Sequence, residues 1–248
     1  MLREQGMPDF TETHMSFLGA ESDYGAHGRV QGAREVLGRL AAKHADPEAL
    51  ALLRREITST ATSMSPGTIG YGGLAKPAPV VRLFSFLAEK AGVTGTVHFA
   101  GEDWEVPFAG GVVIDTGAIE RPTVVGAMPE GERVEVPLVR IAHGRSGDKG
   151  ADANIGIIAR DAAFYPVIRE QLTTEVIAEY FEHFLEGEVE RWDLPGIMGV
   201  NFLLHDVLGG GGMASLRHDF QGKAYAQMLL DYPVQVPKEL LDAFDTAG

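Results

Sequence analysis

VEVPLVRIA (residues 134–142) runs into HGRSGDKG (143–150) and then ADANIGIIA (151–159). By hydrophobic pattern the first segment is a strand, the second a glycine-rich loop and the third a strand over 153–159. Further on, the pattern predicts helices over 161–170 and 174–185, strands over 188–193 and 197–205, and a second glycine-rich loop. A helix over 221–231, a strand over 234–236 and a short helix in the tail 238–248 complete it. Strand pairs alternating with helices pack most economically as an α+β sandwich, ferredoxin-like in kind, with the helices on one side of a small mixed sheet.

Upstream the pattern changes, and a domain boundary is expected at about residue 130. Residues 1–30 read as an irregular arm. Val36, Leu37, Leu40 and Ala41 repeat at helical spacing, which predicts a helix over 31–43. Asp46-Pro47-Glu48 supplies an N-cap, a first-turn proline and a first-turn acid, so a second helix is expected over 47–56, completing a helical hairpin. Residues 57–79, rich in Ser, Thr, Gly and Pro, read as a binding loop or a linker. Alternation over 80–87, 94–100 and 104–108 predicts a small sheet. The fold class is therefore α+β: an N-terminal helical hairpin with a small sheet (1–130), followed by a ferredoxin-like α/β sandwich domain (131–248).

Composition excludes several functions. The chain of 248 residues carries 21 Lys plus Arg against 35 Asp plus Glu, a formal charge of -14. Such a surface repels phosphate backbones and anionic lipid, so neither nucleic acid nor membrane is an expected partner. With no cysteine there is no disulfide framework, thiolate nucleophile or cysteine-ligated metal. Every apolar run is broken well short of the ~18 residues that a spanning helix needs. The first fifteen residues lack a signal-peptide core, so the default compartment is cytoplasmic.

Two polar knots carry the candidate chemistry. In the first, successive N–H groups around Ser146 and Gly147 form a nest for a carboxylate or phosphate, Arg145 supplies a bidentate fork, Lys149 a point charge, and Asn154 follows closely. The spacing before Lys149 is not that of a phosphate-binding Walker loop. The alternative is a tight surface turn in which Asp148 caps backbone and pairs with a neighbouring cation. The second knot is Gly209 to Gly212 with Ser215, Arg217, His218, Asp219 and Lys223. Four consecutive glycines cost roughly 0.5–1 kcal/mol each, which close approach to a ligand by Gly210 and Gly211 would offset. A flexible crossover is the alternative. If the knots converge, Arg145, Lys149, Arg217 and Lys223 form a cationic island for a small anionic substrate, with Asp148, Asp219 and His143 as the groups for proton transfer. No metal is expected: His205, Asp206 and Asp219 lack close ligand spacing.

REVLGRLAAKHAD, TSMSPGTIGYGG with PAPVVRLFSFL, HGRSGDKGADANIG, WDLPGIMGVNFLLHDVLGGGG and SLRHDFQGKAYAQMLL follow one another in the order of the acyclic terpene utilization (AtuA-like) family. The chain resembles that family over about residues 16–237. The resemblance implies a ferredoxin-like C-terminal domain and catabolism of branched isoprenoids through CoA thioesters. It matches Arg145, Ser146, Gly147, Asp148, Lys149, Gly150 and Asn154 to one family block. Asn201, Gly209, Gly210, Ser215, Arg217, Asp219, Gly222 and Lys223 match a second, while His143 departs from the residue expected there. Family members carry a large domain ahead of these blocks, so a split subunit or reduced module is implied, with self-association or a larger partner subunit. The expected function is a lyase or hydratase acting on a small carboxylate or acyl-CoA, with no intrinsic cofactor and coenzyme A arriving as part of the substrate. The alternatives are a non-catalytic subunit and a CoA-ester binding module.

Overall fold

The computed structural model of the chain describes residues 1–30, 32–70, 72–73, 75–123 and 126–247. Gln31, Tyr71, Leu74, Val124, Val125 and Gly248, which fall in the expected helix, loops and tail, lie outside the described residues. In chain order the elements are β1 (Glu12–Leu18), β2 (Leu37–Lys43), α1 (Pro47–Thr58), α2 (Thr60–Ser63), β3 (Gly95–Phe99), β4 (Glu102–Val106), β5 (Arg133–Pro137), β6 (Ala142–Lys149) and β7 (Asp152–Ala159). Then follow α3 (Tyr165–Gln171), α4 (Thr174–Tyr180), β8 (Val189–Leu194), β9 (Gly199–Leu204), α5 (Tyr225–Leu229), β10 (Pro233–Pro237) and α6 (Lys238–Ala247).

The chain divides into two compact units, Met1–Arg82 with Val125–Gly248, and Leu83–Val124. The second contains the β3–β4 hairpin, and its large apolar side chains, among them Phe84, Leu87, Val112 and Val113, are exposed. Val80–Leu87, expected as a strand, is irregular: a strand needs a ladder partner for its amides, and no described segment pairs with it.

In the first unit the heart of the fold is a four-stranded sheet in the order β6-β7-β9-β8, antiparallel at every step rather than mixed. Ala153, Ile155 and Ile157 of β7 and Val200, Phe202 and Leu204 of β9 are fully buried and alternate with half-exposed residues, as expected when helices cover one face only. Helices α3, α4 and α5 supply that cover, with Ile168, Ile177 and Leu229 fully buried in them. On the same inner face, Arg191 of β8 donates to the carbonyls of Arg169 and Leu172 (both 2.8 Å), satisfying acceptors at the end of α3. The buried Val234 and Val236 belong to the separate β5–β10 pair. This is an α+β, ferredoxin-like domain.

The helical hairpin does not form. The helix that spacing predicts over 31–43 is the strand β2, zipped antiparallel to β1 from Leu37↔Leu18 to Lys43↔Glu12, and its end is closed by an ion pair from Lys43 Nζ to Glu12 Oε2 at 2.5 Å. Gly38 inside the segment lowers its helix propensity by about 1 kcal/mol. Residues 12–18, read as irregular, supply the ladder. Helix α1 does form as expected, with Asp46 Oδ1 accepting from the Glu48 amide at 2.9 Å.

Residues 22–29 pack on the ferredoxin-like domain. The His27 ring stacks on Tyr180 with centroids 3.9 Å apart and its Nε2 donates to the Tyr180 carbonyl. His183 Nε2 donates to the Asp23 carbonyl at 3.1 Å. Burial pushes the His183 imidazole below its ordinary pKa, which keeps the ring neutral in this seat.

Candidate functional site

The first glycine-rich knot is not a loop. Residues 142–149 form β6, an edge strand paired with β7 from Ala142↔Ala159 to Lys149↔Asp152, and only the connection at Gly150 and Ala151 turns. Its two glycines lie on opposite faces, Gly144 against Ala226 and Leu230 and Gly147 beneath Lys223. Side chains in an antiparallel ladder alternate between faces while directly opposed residues share one, so the register sorts the knot into two groups. His143, Arg145, Gly147 and Lys149 share the face away from the helices with Ile158, Gly156, Asn154 and Asp152 of β7. Asn201 of β9 and Trp192 of β8 complete the row that begins Arg145↔Gly156.

Ser146 lies on the inner face and works for the fold. Its Oγ accepts the Ala226 amide at 2.9 Å and donates to the Lys223 carbonyl at 3.3 Å, which fastens α5 to β6. Asp219 has the same kind of duty: its two carboxylate oxygens accept the amides of Lys223 (2.9 Å) and Ala224 (2.7 Å). Ser215 Oγ accepts the Arg217 amide at 3.1 Å. The Arg217 guanidinium donates to the carbonyls of Val207 and Phe184 and lies over the Phe184 ring, 5.3 Å from its centroid. Beside it, burial pushes the Tyr225 hydroxyl up to about 12, so it stays a neutral donor to Val207 O at 3.0 Å. The expected cationic island therefore loses Arg217, whose donors go to the Val207 and Phe184 carbonyls and whose Nη2 lies 3.8 Å from Glu186 Oε1.

The two glycine-rich segments do meet. Gly211, at φ +67°, is so close to the β6–β7 turn that an added Cβ would stand 1.9 Å from the Gly150 carbonyl oxygen. Nearby, the Leu208 amide donates to Ala151 O at 3.0 Å. The Gly211 amide donates to Leu208 O at 3.3 Å, so it serves the turn rather than an oxyanion, and Gly210 is exposed. Next to this contact His205 is held between Glu190 (Nε2 to Oε1, 2.7 Å) and Asp152 (Nδ1 to Oδ2, 3.2 Å), and the Asp206 amide donates to Asp152 Oδ1 at 2.9 Å. The hydrogen bond to Glu190, with Asp152 assisting, holds the His205 imidazole above its usual pKa. Among the described residues no group of three or more acidic or histidine side chains is arranged to hold a metal ion.

Arg145 and Lys223 line an open concavity of about 310 Å³ at the β6 edge, with Gly144, Ser146, Ala226 and Leu230 forming its floor. Lys223 Nζ reaches over Gly147, where a Cβ would approach it to 2.8 Å, and lies 3.8 Å from Asp148 Oδ1. Arg145 has no hydrogen-bond or ion-pair partner among the described residues. Lys149 Nζ donates to Asn154 Oδ1 (3.0 Å), and Asn154 Nδ2 donates to Asn201 Oδ1 (3.1 Å), a directional chain that leaves the Asn201 amide N–H groups as the free end. His143 lies apart, its Nε2 3.4 Å from Arg160 Nη1. Three cations and two oriented amides thus gather around Gly147, with the carboxylates of Asp148, beside Lys223, and Asp231, in the wall of the concavity, as the acidic groups nearby. Trp192, 44% exposed in the same cross-strand row, was not singled out by the sequence; its alternation with Glu190 and Leu194 in ERWDL is the signal that would have found it.

No curated protein and no solved structure matches the chain. Residues 1–99 match the model of the acyclic terpene utilisation family protein AtuA, and residues 136–235 match that of the AtuA ferredoxin-like domain. The second match takes in β6 to β9 and α5, and with them Arg145, Gly147, Lys149, Asn154, Asn201 and Lys223. With both segments present in that order, the chain is an AtuA-like protein.

Proposed function

We propose that the chain serves in acyclic terpene utilisation, a catabolic role, by binding a small carboxylate or acyl-CoA at the β6 edge, in a lyase or hydratase or as the anion-binding part of one. The observation that carries this reading is the arrangement around Gly147: Arg145 without a partner among the described residues, Lys223 over the glycine and Lys149 at the strand end, on a chain of net charge -14. Arg145 and Lys223 hold the anion, and the Lys149-Asn154-Asn201 chain presents a fixed donor to a neighbouring carbonyl or hydroxyl. Within this reading the proton falls to Asp148, because both Asp219 oxygens accept backbone amides and His143 lies beside Arg160. Charge-assisted hydrogen bonds contribute about 1.5–3 kcal/mol, so Arg145→Ala and Lys223→Ala should each weaken butyrate and butyryl-CoA binding by about 10- to 100-fold in calorimetry. Wild-type affinity in both variants, or no binding by the parent, sinks the reading.

One observation favours a second reading, action as a subunit of an assembly. Phe84, Leu87, Val112 and Val113 are at least 84% exposed, and apolar patches of this kind mark interaction surfaces. Sedimentation showing only monomer at high micromolar concentration removes it.

A further inference from the structure

Helices cover one face of the four-stranded sheet; on the other, Ile158, Trp192 and Leu194 are exposed. The register of that outer face opposes its two edges. In one row Gly156 and Asn201 stand between Arg145 at the β6 edge and Trp192 at the β8 edge. In the next row Gly147, with Lys223 Nζ above it, lies at the β6 edge and Glu190 at the β8 edge. His205 Nε2 holds Glu190 Oε1 at 2.7 Å, while Glu190 Oε2 has no hydrogen bond or ion pair among the described residues. One edge thus carries Arg145, Lys149 and Lys223, and the other presents a positioned carboxylate and an exposed indole.

We infer that this face docks on the same face of a second copy of the chain, forming a two-fold dimer in which each β6 lies over the other copy's β8. Two sheets stack face to face with their strands nearly aligned. A two-fold axis between them and along the strands keeps the rows in order and reverses the strand order. Glu190 of each copy then enters above Gly147 of the other, against Lys223 Nζ and between Arg145 and Lys149. Trp192 covers the opposing Arg145 guanidinium, a cation–π arrangement. Asn201 stands over the opposing Gly156, where a Cβ would meet nothing in its own chain nearer than 3.8 Å and φ is not left-handed, so the chain itself does not demand glycine there. An axis across the strands would instead lay β6 on β6 and stack the cations on one another. Two copies of net charge -14 repel at long range, which favours contact where opposite charges meet. Four strands about 4.8 Å apart and eight residues long offer on the order of 1,000 Å² over both copies, which supports a weak, reversible dimer. The contact does not depend on the ligand reading: it is measured as mass against concentration, so either can fail without the other.

Sedimentation equilibrium of the full chain, from low to high micromolar concentration in physiological salt, should show a reversible monomer–dimer equilibrium. Glu190→Lys sets an ammonium against three cations at both symmetry-related contacts and should weaken the dimer about 100-fold. Gly156→Val fills the space that receives Asn201 and should weaken it by about 10-fold or more. The double variant Arg145→Glu with Lys223→Glu should be monomeric alone. Mixed with Glu190→Lys it should recover a dimer, because both contacts then join opposite charges, and that recovery also shows that the two variants fold. A parent that stays monomeric at every concentration overturns the dimer. So does a mixture that remains monomeric, and so does association that the sheet variants keep. Association lost in Leu87→Asp but kept in the sheet variants belongs to the apolar surface of the other unit and likewise overturns the sheet contact.

Discussion

Replacing Gly211 by alanine measures how firmly the two glycine-rich segments are joined. The added Cβ would stand 1.9 Å from the Gly150 carbonyl oxygen, 2.5 Å from its carbon and 2.9 Å from Ala151 Cα, all backbone atoms of the β6–β7 turn. No rotamer relieves such a clash, so the turn must move. Overpacking of this sort costs about 1–3 kcal/mol, and the left-handed conformation adds about 1–2 kcal/mol for any residue with a Cβ. Gly212 provides the control: at φ +48° with nothing within 4 Å of its Cβ, alanine there meets only the conformational cost. Gly211→Ala should therefore be less stable than Gly212→Ala by about 1–3 kcal/mol, or about 2–12 °C in Tm for a chain of this size. Urea and thermal unfolding, followed by Trp192 fluorescence in a Trp104→Phe background, report on the sheet that carries the site. Equal destabilisation of the two variants would refute the close packing of Gly211 on Gly150.

Arg217→Ala should destabilise the fold by about 2–4 kcal/mol, because the Phe184 and Val207 carbonyls lose a charged donor and the Phe184 ring loses its cover. Lysine should rescue little of this, lacking the planar fork, and butyrate affinity of the folded variant should stay within threefold of the parent; a stable variant that fails to bind would return Arg217 to the ligand site. His205 has its pKa raised in the folded state, so its stabilisation is complete below its unfolded value of about 6.5 and is lost as pH rises through the folded value. The pair with Glu190 is partly exposed and contributes about 0.5–1 kcal/mol, so the parent should exceed His205→Gln by about 1–4 °C at pH 6 and converge with it at alkaline pH. A Tm difference that grows with pH would contradict this ion pairing.

Local signals made part of the fold legible. Asp46-Pro47-Glu48 marks the start of α1, and Asp46 caps the Glu48 amide as a residue of that type does. The apolar alternation of 153–159 and 199–204 marks two central strands because one of their faces is buried. Where the partner is distant the reading fails. Leu37, Leu40 and Ala41 fit a helical stripe, yet their segment is a strand because residues 12–18, far back in the chain, offer a complete ladder. Tertiary pairing overrides local spacing there.

The glycines hid the site for a related reason. A run such as HGRSGDKG looks like a loop because glycine is depleted in strands, and that depletion reflects the missing side-chain contacts rather than a forbidden conformation. In β6 the missing side chains are what the structure uses: Gly147 admits Lys223, and Gly144 admits Ala226 and Leu230 of the α5 region. Once the segment is a strand, its period of two divides the knot by duty. Ser146 faces the helices and fastens them, while Arg145 and Lys149 face away and remain exposed. Composition and motif spacing list these residues together, but only the register separates the side chain that holds the domain from those left to hold a ligand. Arg217 and Asp219, which lie outside any strand, carry structural work for a different reason: their donors and acceptors meet orphan backbone groups around the turn and α5.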